Sequence, residues 1–219
     1  ALSLVGSEMC IRDRKKMSID PKIQNVYCVG RNFVEHAKEL NNDIPEEPLF
    51  FQKSNACVNT EKIIEIPSQK DIDYEVEIVL LIGRAGKPNS EIEAREFIHG
   101  YSVGLDLTDR KLQTKLKSEG LPWFSSKSFE SSAVLNKKFI SECPKEFYLK
   151  INNVDKQIGS TNDMIFSFEK IVLSLSKIIS FREGDIIFTG TPQGVGILKK
   201  GDRVEMGFSK NNSFRYTVK

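Results

Sequence analysis

The stretch "DIDYEVEIVLL", Asp71 to Leu81, places Glu75 and Glu77 inside a run that otherwise has the character of a sheet interior. Alternate side chains of a strand point to opposite faces. One face is apolar throughout: Ile72, Tyr74, Val76, Ile78, Leu80 and Ile82. The other begins acidic and ends apolar: Asp73, Glu75, Glu77, Val79 and Leu81. The pattern predicts a strand that runs from a cleft or edge into a region covered on both sides.

The spacing of the two glutamates suits a metal ion. Residues i and i+2 of a strand project the same way with Cα atoms about 6.5 to 7 Å apart, so two flexible carboxylates can converge on one cation. Without a cation the two negative charges would repel each other and raise the pKa of one carboxyl. The alternative is a half-exposed strand with a solvated acidic face, and this stretch alone favours that alternative.

The composition predicts a globular protein with a small-molecule partner. The 219 residues suffice for one domain with a sizeable core. The net charge is +2, and its 32 basic and 30 acidic residues are well mixed, which argues against a nucleic-acid face and against a membrane-binding block. No apolar run approaches the roughly 20 residues needed to span a bilayer, so we expect a soluble protein.

The cysteines and the first residues bear on the compartment and on the boundaries of the domain. The chain has four cysteines without a C-x-x-C pair: Cys10, Cys28, Cys57 and Cys143. They are interpreted as inert thiols in a reducing compartment, so we expect a cytoplasmic protein. The first sixteen residues lack a signal-peptide pattern. We interpret residues 1–16 as a non-native or disordered tail, Met17 as the natural start, and residues 17–219 as a single catalytic domain.

Helices are expected in four places. Asn32 is positioned to cap a short polar helix, with Glu35 as its reciprocal partner. A second helix opens at Ser90, and "DRKLQTKLKSEG", residues 109–120, is compatible with a third. The apolar side of the second helix is predicted as Ile92, Phe97 and Ile98. The clearest helix lies near Ser167 to Ile179, with apolar side chains at helical spacing: Phe168, Ile171, Val172, Leu175 and Ile178.

Strands outnumber helices in the remainder of the chain. The segment "INNVDKQ", residues 151–157, is a hairpin candidate, because Asn-Asn tolerates the positive φ angles of a tight turn. The sequence has no internal repeat and no G-x-G-x-x-G after a strand. A nucleotide-binding Rossmann unit is therefore not expected.

Asp106 is a candidate third carboxylate for the metal site. It lies on the predicted strand "GYSVGLDLTD", on the face it shares with Gly104 and Thr108, and it joins the glutamates if the two strands are neighbours. Three carboxylates without thiolates form a hard oxygen site that selects Mg²⁺ or Mn²⁺ over zinc. About three of the six octahedral positions would remain for water and substrate. The alternative is a surface or turn aspartate.

Two further groups could carry chemistry. His36 and Glu39, at i and i+3 of the short helix, could meet as a carboxylate-oriented base that activates water, or they form a surface ion pair. The turn "TGTPQGVG", residues 189–196, has glycines whose N–H groups could approach an anion, and Thr191 could add a hydroxyl, but such turns usually only reverse the chain. Taken singly, Lys53, Gln113 and Lys127 are ambiguous.

The joint order of seven segments resembles the fumarylacetoacetate hydrolase family, in particular its single-domain acylpyruvase and oxaloacetate decarboxylase branch. The segments are "CVGRNFVEHAKE", "PLFFQKSNA", "DYEVEIVLLIG", "GYSVGLDLTDRKLQ", "GLPWFSSKSF", "MIFSFEKIV" and "EGDIIFTGTPQGVG". The likeness covers the chain from Asn25 to the C-terminus. It implies a β-rich α+β fold, a multi-sheet roll like the C-terminal domain of that family, and a homodimer.

The resemblance also implies roles for individual residues. The metal ligands would be Glu75, Glu77 and Asp106, and the cofactor Mg²⁺, with Mn²⁺ as an alternative. The catalytic residues would be His36, Glu39 and Lys127, with the first two forming a water-activating dyad on a lid helix. The substrate would be bound by Arg31, Lys53, Gln113 and Thr191. One departure from the family pattern is Asp109-Arg110, which would change the charge at the pocket rim.

The function expected from this resemblance is Mg²⁺-dependent hydrolysis of a carbon–carbon bond in acylpyruvate-type 2-oxo acids, by way of an enolate held on the metal. Three alternatives stay open. Two belong to the same family: an oxaloacetate decarboxylase or tautomerase, and an isomerase of unsaturated 2-oxo dicarboxylates. The third is a non-catalytic, metal-dependent protein that binds dicarboxylates.

Overall fold

The computed structural model describes residues 22–40 and 43–219. The predictions of a tail over residues 1–16 and of a start at Met17 lie outside the described residues. The single domain expected over residues 17–219 stays a prediction. No helix in the described part of the chain is both long and apolar enough to cross a membrane.

The described chain is rich in strands. The strands are β1 Val26–Gly30, β2 Leu49–Lys53, β3 Val58–Asn59, β4 Ile63–Ile64, β5 Ile72–Tyr74, β6 Val76–Ile82, β7 Ile98–Asp106, β8 Thr108–Asp109, β9 Ala133–Leu135, β10 Glu146–Ile151, β11 Val154–Ser160, β12 Ile186–Phe188, β13 Gly196–Ile197, β14 Arg203–Ser209 and β15 Asn212–Val218. The α-helices are α1 Val34–Glu39, α2 Glu91–Phe97, α3 Arg110–Ser118, α4 Phe124–Lys127 and α5 Phe168–Ser176. Two short 3₁₀ turns complete the set, Asn55–Cys57 and Thr161–Asp163.

The strands form three sheets. The seven-stranded sheet has the order β2-β1-β12-β6-β7-β9-β3, the five-stranded sheet β11-β10-β14-β15-β4, and the three-stranded sheet β13-β5-β8. Most neighbours are antiparallel, and the β1–β12, β3–β9 and β15–β4 pairs are parallel. This arrangement confirms the predicted β-rich α+β fold with several sheets.

The segment from Asp71 to Leu81 is covered on both faces. The apolar face predicted from the alternation belongs in full to the larger hydrophobic cluster, which also contains residues of β10, β14 and α5. Val79 and Leu81, on the opposite face, belong to a second cluster. Glu75 and Glu77 are only 4% and 2% exposed. The alternative of a solvated acidic face is therefore wrong.

Three helices have side-chain caps. Ser90 Oγ accepts from the Glu93 N–H at the start of α2, and Ser167 Oγ accepts from the Lys170 N–H at the start of α5. The Asp109 carboxylate accepts from the Leu112 N–H at 3.0 Å at the start of α3. These helices confirm the predicted segments. The α5 helix ends at Ser176, however, so Ile178 lies beyond the helix and is exposed.

Two further sequence expectations about helices were wrong. Asn32 does not cap α1: its buried amide donates to the Thr189 carbonyl at 2.8 Å, and Phe33 takes the cap position without a side-chain bond. Ile92 does not face the core, because the buried side of α2 is formed by Ala94 and Phe97, three residues apart. In both cases the contacts made across the fold decide the outcome.

The predicted hairpin is present. β10 and β11 pair antiparallel and are joined by Asn152 and Asn153, whose φ angles are 53° and 66°. Positive φ at both central residues matches the twist of the flanking strands. This hairpin brings β11 to one edge of the five-stranded sheet, beside the turn that follows β12.

Candidate metal centre

Three buried carboxylates lie together where the β5–β6 segment meets β7. Glu75 stands between β5 and β6, Glu77 lies in β6, and Asp106 ends β7. Because β6 and β7 run antiparallel, the end of β7 lies beside the start of β6, and the Asp106 N–H donates to the Glu75 carbonyl at 2.9 Å. One ligand oxygen from each side chain lies within 4.8 Å of the other two. The structure therefore brings together the three predicted metal ligands.

Basic side chains surround two of these carboxylates. The Lys127 ammonium lies 2.7 Å from both Glu75 Oε2 and Asp106 Oδ2, and Arg110 also contacts Glu75. Burial acts to raise the pKa of Glu75, but Lys127 and Arg110 outweigh it and hold that pKa well below its usual range. Burial likewise acts to lower the pKa of Lys127, and Asp106 and Glu75 reverse the effect.

Glu77 is the least neutralised of the three. Its carboxylate accepts from the Gly190 N–H at 2.7 Å. Burial, together with the negative charges of Asp106 and Glu75, raises the pKa of Glu77 well above its usual range. Arg110 and Lys127 form ion pairs with Glu75, whereas no described basic side chain forms one with Glu77.

The Asp106 Oδ1 atom has an ion-pair partner but no hydrogen-bond donor among the described residues. It is buried and accepts no hydrogen bond from the described residues, because the Lys53 ammonium meets it at 2.7 Å without hydrogen-bond geometry. An all-oxygen ligand set, a buried glutamate without an ion-pair partner among the described residues, and a carboxylate oxygen that accepts no hydrogen bond from them fit a hard divalent cation such as Mg²⁺ or Mn²⁺.

The His36–Glu39 pair of α1 places His36 in the lining of the same pocket. His36 is buried, and its Nδ1 lies 3.1 Å from Glu39 Oε2. The Glu39 carboxylate also accepts from the Gly194 N–H, at 3.1 Å. An ionised carboxylate only accepts hydrogen bonds, so His36 Nδ1 is the donor, and in the neutral imidazole Nε2 is then an acceptor. The His36 side chain of this pair is buried, whereas the Glu39 side chain is 31% exposed.

The pocket is strongly charged and has aromatic walls. Its lining includes eight of the predicted site residues: Arg31, His36, Glu75, Glu77, Asp106, Gln113, Lys127 and Thr191. Glu39 is not among the lining residues and stands behind His36. Lys53 is not among them either: it is fully buried behind Asp106, where it also donates to the Leu107 carbonyl at 3.0 Å.

Arg31 and Gln113 are held in different ways. Arg31 has φ +58°, a conformation uncommon for a residue with a side chain. It has no ion-pair partner within the described chain, so its charge is available to the pocket. Gln113 is fixed by its side-chain oxygen, which accepts from Arg110 Nη1 at 2.8 Å.

The glycine-rich turn uses its N–H groups within the protein. Gly190 and Gly194 donate to Glu77 and Glu39, respectively, so the anions that these glycines approach are the protein's own carboxylates. Both glycines have positive φ angles, 101° and 99°. One turn thus supports both a predicted metal ligand and the predicted dyad.

The Asp109-Arg110 pair was expected at the pocket rim, but only Arg110 lines the pocket. Asp109 is not at the pocket rim: it caps α3 and forms an ion pair with Lys70 at 3.0 Å. Arg110 lines the pocket and contacts both Asp73, at 3.0 Å, and Glu75. Arg110 therefore neutralises the carboxylates of Asp73 and Glu75 and does not change the charge at the pocket rim.

Lys117 and Trp123 are among the pocket-lining residues that sequence reasoning missed. Lys117 lies four residues after Gln113, on the same face of α3, and its ammonium lies 4.8 Å from the centre of the Trp123 ring. Trp123 in turn packs against Phe51, with ring centres 5.5 Å apart. The i, i+4 spacing from Gln113 was a signal that could have identified Lys117. Trp123 lies immediately before α4, in a segment without helical or strand periodicity, so no sequence pattern identified it.

Comparison with known proteins gives consistent matches. The model of the fumarylacetoacetate (FAA) hydrolase C-terminal family matches residues 25–219. The oxaloacetate tautomerase FAHD1, mitochondrial, of Rattus norvegicus is 38% identical over 202 residues, which cover 89% of this chain and 91% of the relative. Its namesake from Arabidopsis thaliana is 38% identical over 200 residues, covering 88% and 90%.

Solved structures agree with the sequence relatives. The crystal structure of fumarylpyruvate hydrolase from Pseudomonas aeruginosa, in complex with Mn²⁺ and pyruvate, superposes with a TM-score of 0.84 at 30% identity and covers 99% of each chain. A 2-hydroxyhepta-2,4-diene-1,7-dioate isomerase from Mycobacterium marinum superposes with a TM-score of 0.77 at 28% identity, covering 90% of this chain and 75% of the other. The three-sheet fold is common to enzymes with different names.

Proposed function

The chain belongs to the fumarylacetoacetate hydrolase family and is an enzyme of that family, and from this premise we propose that it is a divalent-metal-dependent hydrolase. The substrates would be acylpyruvate-type 2-oxo acids, cleaved at a carbon–carbon bond. The observation that carries this proposal is that His36, paired with Glu39, lines the same pocket as the three carboxylates.

Glu75, Glu77 and Asp106 would hold the cation, Mg²⁺ or Mn²⁺. The Mn²⁺ and pyruvate of the Pseudomonas aeruginosa relative support this choice of ion and of ligand class. When bound, the cation would polarise the 2-oxo carbonyl and stabilise the negative charge that cleavage leaves on the adjacent carbon. Lys53 would act from behind the site by neutralising Asp106, since it does not line the pocket.

His36 would serve as the general base. Its free Nε2 takes a proton from a water molecule, and the water oxygen attacks the distal acyl carbonyl. The carbon–carbon bond then breaks, its electron pair passes to the pyruvate half, and that half takes up a proton. Glu39 keeps the proton on Nδ1 and stabilises the imidazolium that forms, while Gly194 holds the Glu39 carboxylate in place.

The substrate would lie between two charged regions. Lys127, Gln113 and Thr191 would bind the 2-oxo acid end beside the carboxylates. Arg31 and Lys117 also line the pocket and have no anionic partner among the described residues. These two cations would receive a second carboxylate, so the pocket suits a dianionic substrate.

A second candidate is oxaloacetate tautomerase or decarboxylase activity. The relatives at 38% identity are named oxaloacetate tautomerases, and oxaloacetate is a dicarboxylate that suits Arg31 and Lys117. Decarboxylation needs no attacking water, so it does not depend on a water-activating base. The isomerase alternative would be recognised by product analysis on an unsaturated 2-oxo dicarboxylate. A purely binding protein is not supported, because the relatives carry enzyme names.

The test is the His36→Ala variant, assayed with Mn²⁺ on acetylpyruvate and on oxaloacetate. We expect acetylpyruvate hydrolysis to fall by about 10²- to 10⁴-fold, the usual contribution of a general base, and Mn²⁺ affinity to stay unchanged. Glu35→Ala is the control, because Glu35 is an exposed residue of the same helix paired with Lys38. Unimpaired hydrolysis by His36→Ala would refute its role as the base.

The oligomeric state and the cellular location stay predictions. We propose a homodimer, as the family resemblance implies, and light scattering would measure its mass. The cytoplasmic location was expected from the cysteines, whereas the named relatives from rat and Arabidopsis are mitochondrial.

A further inference from the structure

Gln157 is a buried polar residue that comes to the pocket from a different sheet. It lies in β11, at the edge of the five-stranded sheet, and is 1% exposed. Its Oε1 accepts from the Val76 N–H at 2.9 Å. Its Nε2 donates to Thr191 Oγ1 and to the Pro192 carbonyl, both at 2.9 Å. Both amide hydrogens are therefore used.

These partners fix the orientation of the Gln157 amide. A flipped amide would place its NH₂ group against the Val76 N–H and its oxygen against the Pro192 carbonyl, leaving buried groups unsatisfied. Gln157 thus links the backbone between Glu75 and Glu77 to the turn that carries Thr191. No other described side chain bonds to both segments.

The contact determines what the Thr191 hydroxyl can do. Thr191 Oγ1 accepts from Gln157, so the hydroxyl proton is left for another partner. Within the described residues this hydroxyl donates no hydrogen bond. Thr191 is nearly buried and lines the pocket beside the carboxylates. Its free proton is therefore available to an acceptor bound in the pocket.

We propose that Gln157 is a positioning residue that presents the Thr191 hydroxyl as a hydrogen-bond donor to the carboxylate of a bound 2-oxo acid. This inference rests on the proposed function, because it assumes that the pocket binds such an acid. Gln157 itself does not line the pocket and acts through Thr191.

Pyruvate binding to the Mn²⁺-loaded protein, measured by calorimetry, tests the proposal. In Gln157→Glu the introduced carboxylate still accepts from Val76, but it cannot donate to Thr191, so the Thr191 hydroxyl turns to donate to that carboxylate instead. We expect the Kd for pyruvate to rise by about 10- to 100-fold, the effect of one lost hydrogen bond to a charged group. The Kd for Mn²⁺, titrated alone, should stay within about threefold of the wild type.

The Thr191→Val variant and the double variant make the test specific. We expect Thr191→Val to weaken pyruvate binding by a similar factor, and the double variant to be no weaker than Thr191→Val alone, because both changes remove the same donor. Lys156→Ala, at an exposed position of the same strand, is the control and should bind as the wild type does. Thr191→Val is informative even if Gln157→Glu fails to fold.

The outcomes separate the inference from the proposed function. Losses that multiply in the double variant, or a Thr191→Val variant that binds pyruvate as tightly as the wild type, would overturn the role of Gln157. A wild-type protein that binds Mn²⁺ but shows no affinity for pyruvate would overturn the proposed function, and the inference with it.

Discussion

Among single residues, the balance between the charges in the pocket governs the proposed chemistry. Lys127 and Arg110 neutralise Glu75, whereas Glu77 has a backbone N–H as its partner and a raised pKa. A cation that binds here displaces any proton held on Glu77. The pocket therefore combines three carboxylates with Arg31 and Lys117, two cations that have no ion-pair partner among the described residues.

Lys117 provides a prediction about pH. Burial, with the positive charges of Arg31 and Arg110, lowers the pKa of Lys117 to about 8. Lys117 is therefore charged below that pH and loses its charge as the pH rises through it. We expect the KM for oxaloacetate to increase across this range by about two- to fivefold, the contribution of an accessible ion pair. Steady-state kinetics over a pH series would measure this change.

The control for this prediction is the neighbouring lysine. Lys117→Gln should have a raised KM at neutral pH and no rise near pH 8, whereas Lys115→Gln, at an exposed position of the same helix, should behave as the wild type does. A wild-type KM that does not change as Lys117 titrates would show that Lys117 does not contact the substrate.

The residues of the metal site could be predicted from sequence better than their surroundings. The two-residue spacing made Glu75 and Glu77 candidates, the family resemblance assigned them and Asp106 as ligands, and their meeting required only that two strands be neighbours. The position of Lys53 behind Asp106 depends on how α4 and the end of β2 pack beneath the site, which no local pattern specifies. The partners of Gly190 and Gly194 depend on side chains more than a hundred residues away.

At the level of secondary-structure elements, the turn between β12 and β13 joins the two halves of the site. Gly190 supports Glu77, Gly194 supports Glu39, and Thr191 lines the pocket between them. Because its contacts are backbone N–H groups, the geometry of the turn matters more than its side chains. Changes to its glycines should therefore act on chemistry as well as on stability.

Gly194→Ala tests the half of the turn that supports the dyad. At φ +99° an alanine is strained, and its Cβ would lie 2.3 Å from the Lys156 carbonyl oxygen, so the turn must shift away from Glu39. We expect a loss of about 1–3 kcal/mol in unfolding free energy and a fall of roughly tenfold or more in kcat for acetylpyruvate. Denaturant unfolding and steady-state kinetics would measure the two effects.

A variant of a second glycine separates the effect of backbone strain from the effect of losing the contact between Gly194 and Glu39. Gly201 has φ +91° with nothing near its would-be Cβ, so Gly201→Ala should cost stability while kcat stays unchanged. Affinity for Mn²⁺ should be preserved in Gly194→Ala, because Glu77 is supported by Gly190 instead. If Gly194→Ala retains full kcat, the turn does not position the dyad.

Helix starts and tight turns were predicted correctly where residues close in sequence determine the backbone conformation. Ser90 and Ser167 cap helices as their sequences indicate, and Asn152-Asn153 forms the expected tight turn. The start of α1 differed because the Asn32 amide is occupied by Thr189 and by Phe166. A cap residue whose side chain finds a long-range partner cannot be identified from the helix sequence alone.

For the whole molecule, the site lies where the three sheets meet. The carboxylates come from the seven-stranded sheet and its junction with β5, Gln157 comes from the five-stranded sheet, and one hydrophobic cluster includes residues of both large sheets. The family resemblance implied this class of fold, and the excess of predicted strands agreed with it. The pairing of β1 with β12, more than 150 residues later, has no local signature and was not predicted.

A cation at this junction should stabilise the whole fold. At a free Mn²⁺ concentration of about 100 times its Kd, binding adds about 2.7 kcal/mol to the unfolding free energy. For a chain of this size that corresponds to a rise in Tm of roughly 5–11 °C. Thermal unfolding of the wild type and of Glu77→Gln, with and without Mn²⁺, would measure the effect.

The controls for this prediction are a variant of one metal-ligating residue and a variant of one exposed glutamate. Glu77→Gln should lose most of the rise in Tm, because one of the three ligand carboxylates is gone. Glu183→Gln, at an exposed position, should retain it. An equal rise in Tm for all three proteins would indicate that Mn²⁺ binds elsewhere.

The most direct measurement is an anomalous-scattering map of crystals grown with Mn²⁺ and pyruvate. We expect one Mn²⁺ peak in contact with oxygens of Glu75, Glu77 and Asp106, with pyruvate completing its coordination within reach of Thr191. Crystals of a catalytically active preparation that show no ion among these three carboxylates, or show it only at another site, would contradict the proposed metal centre.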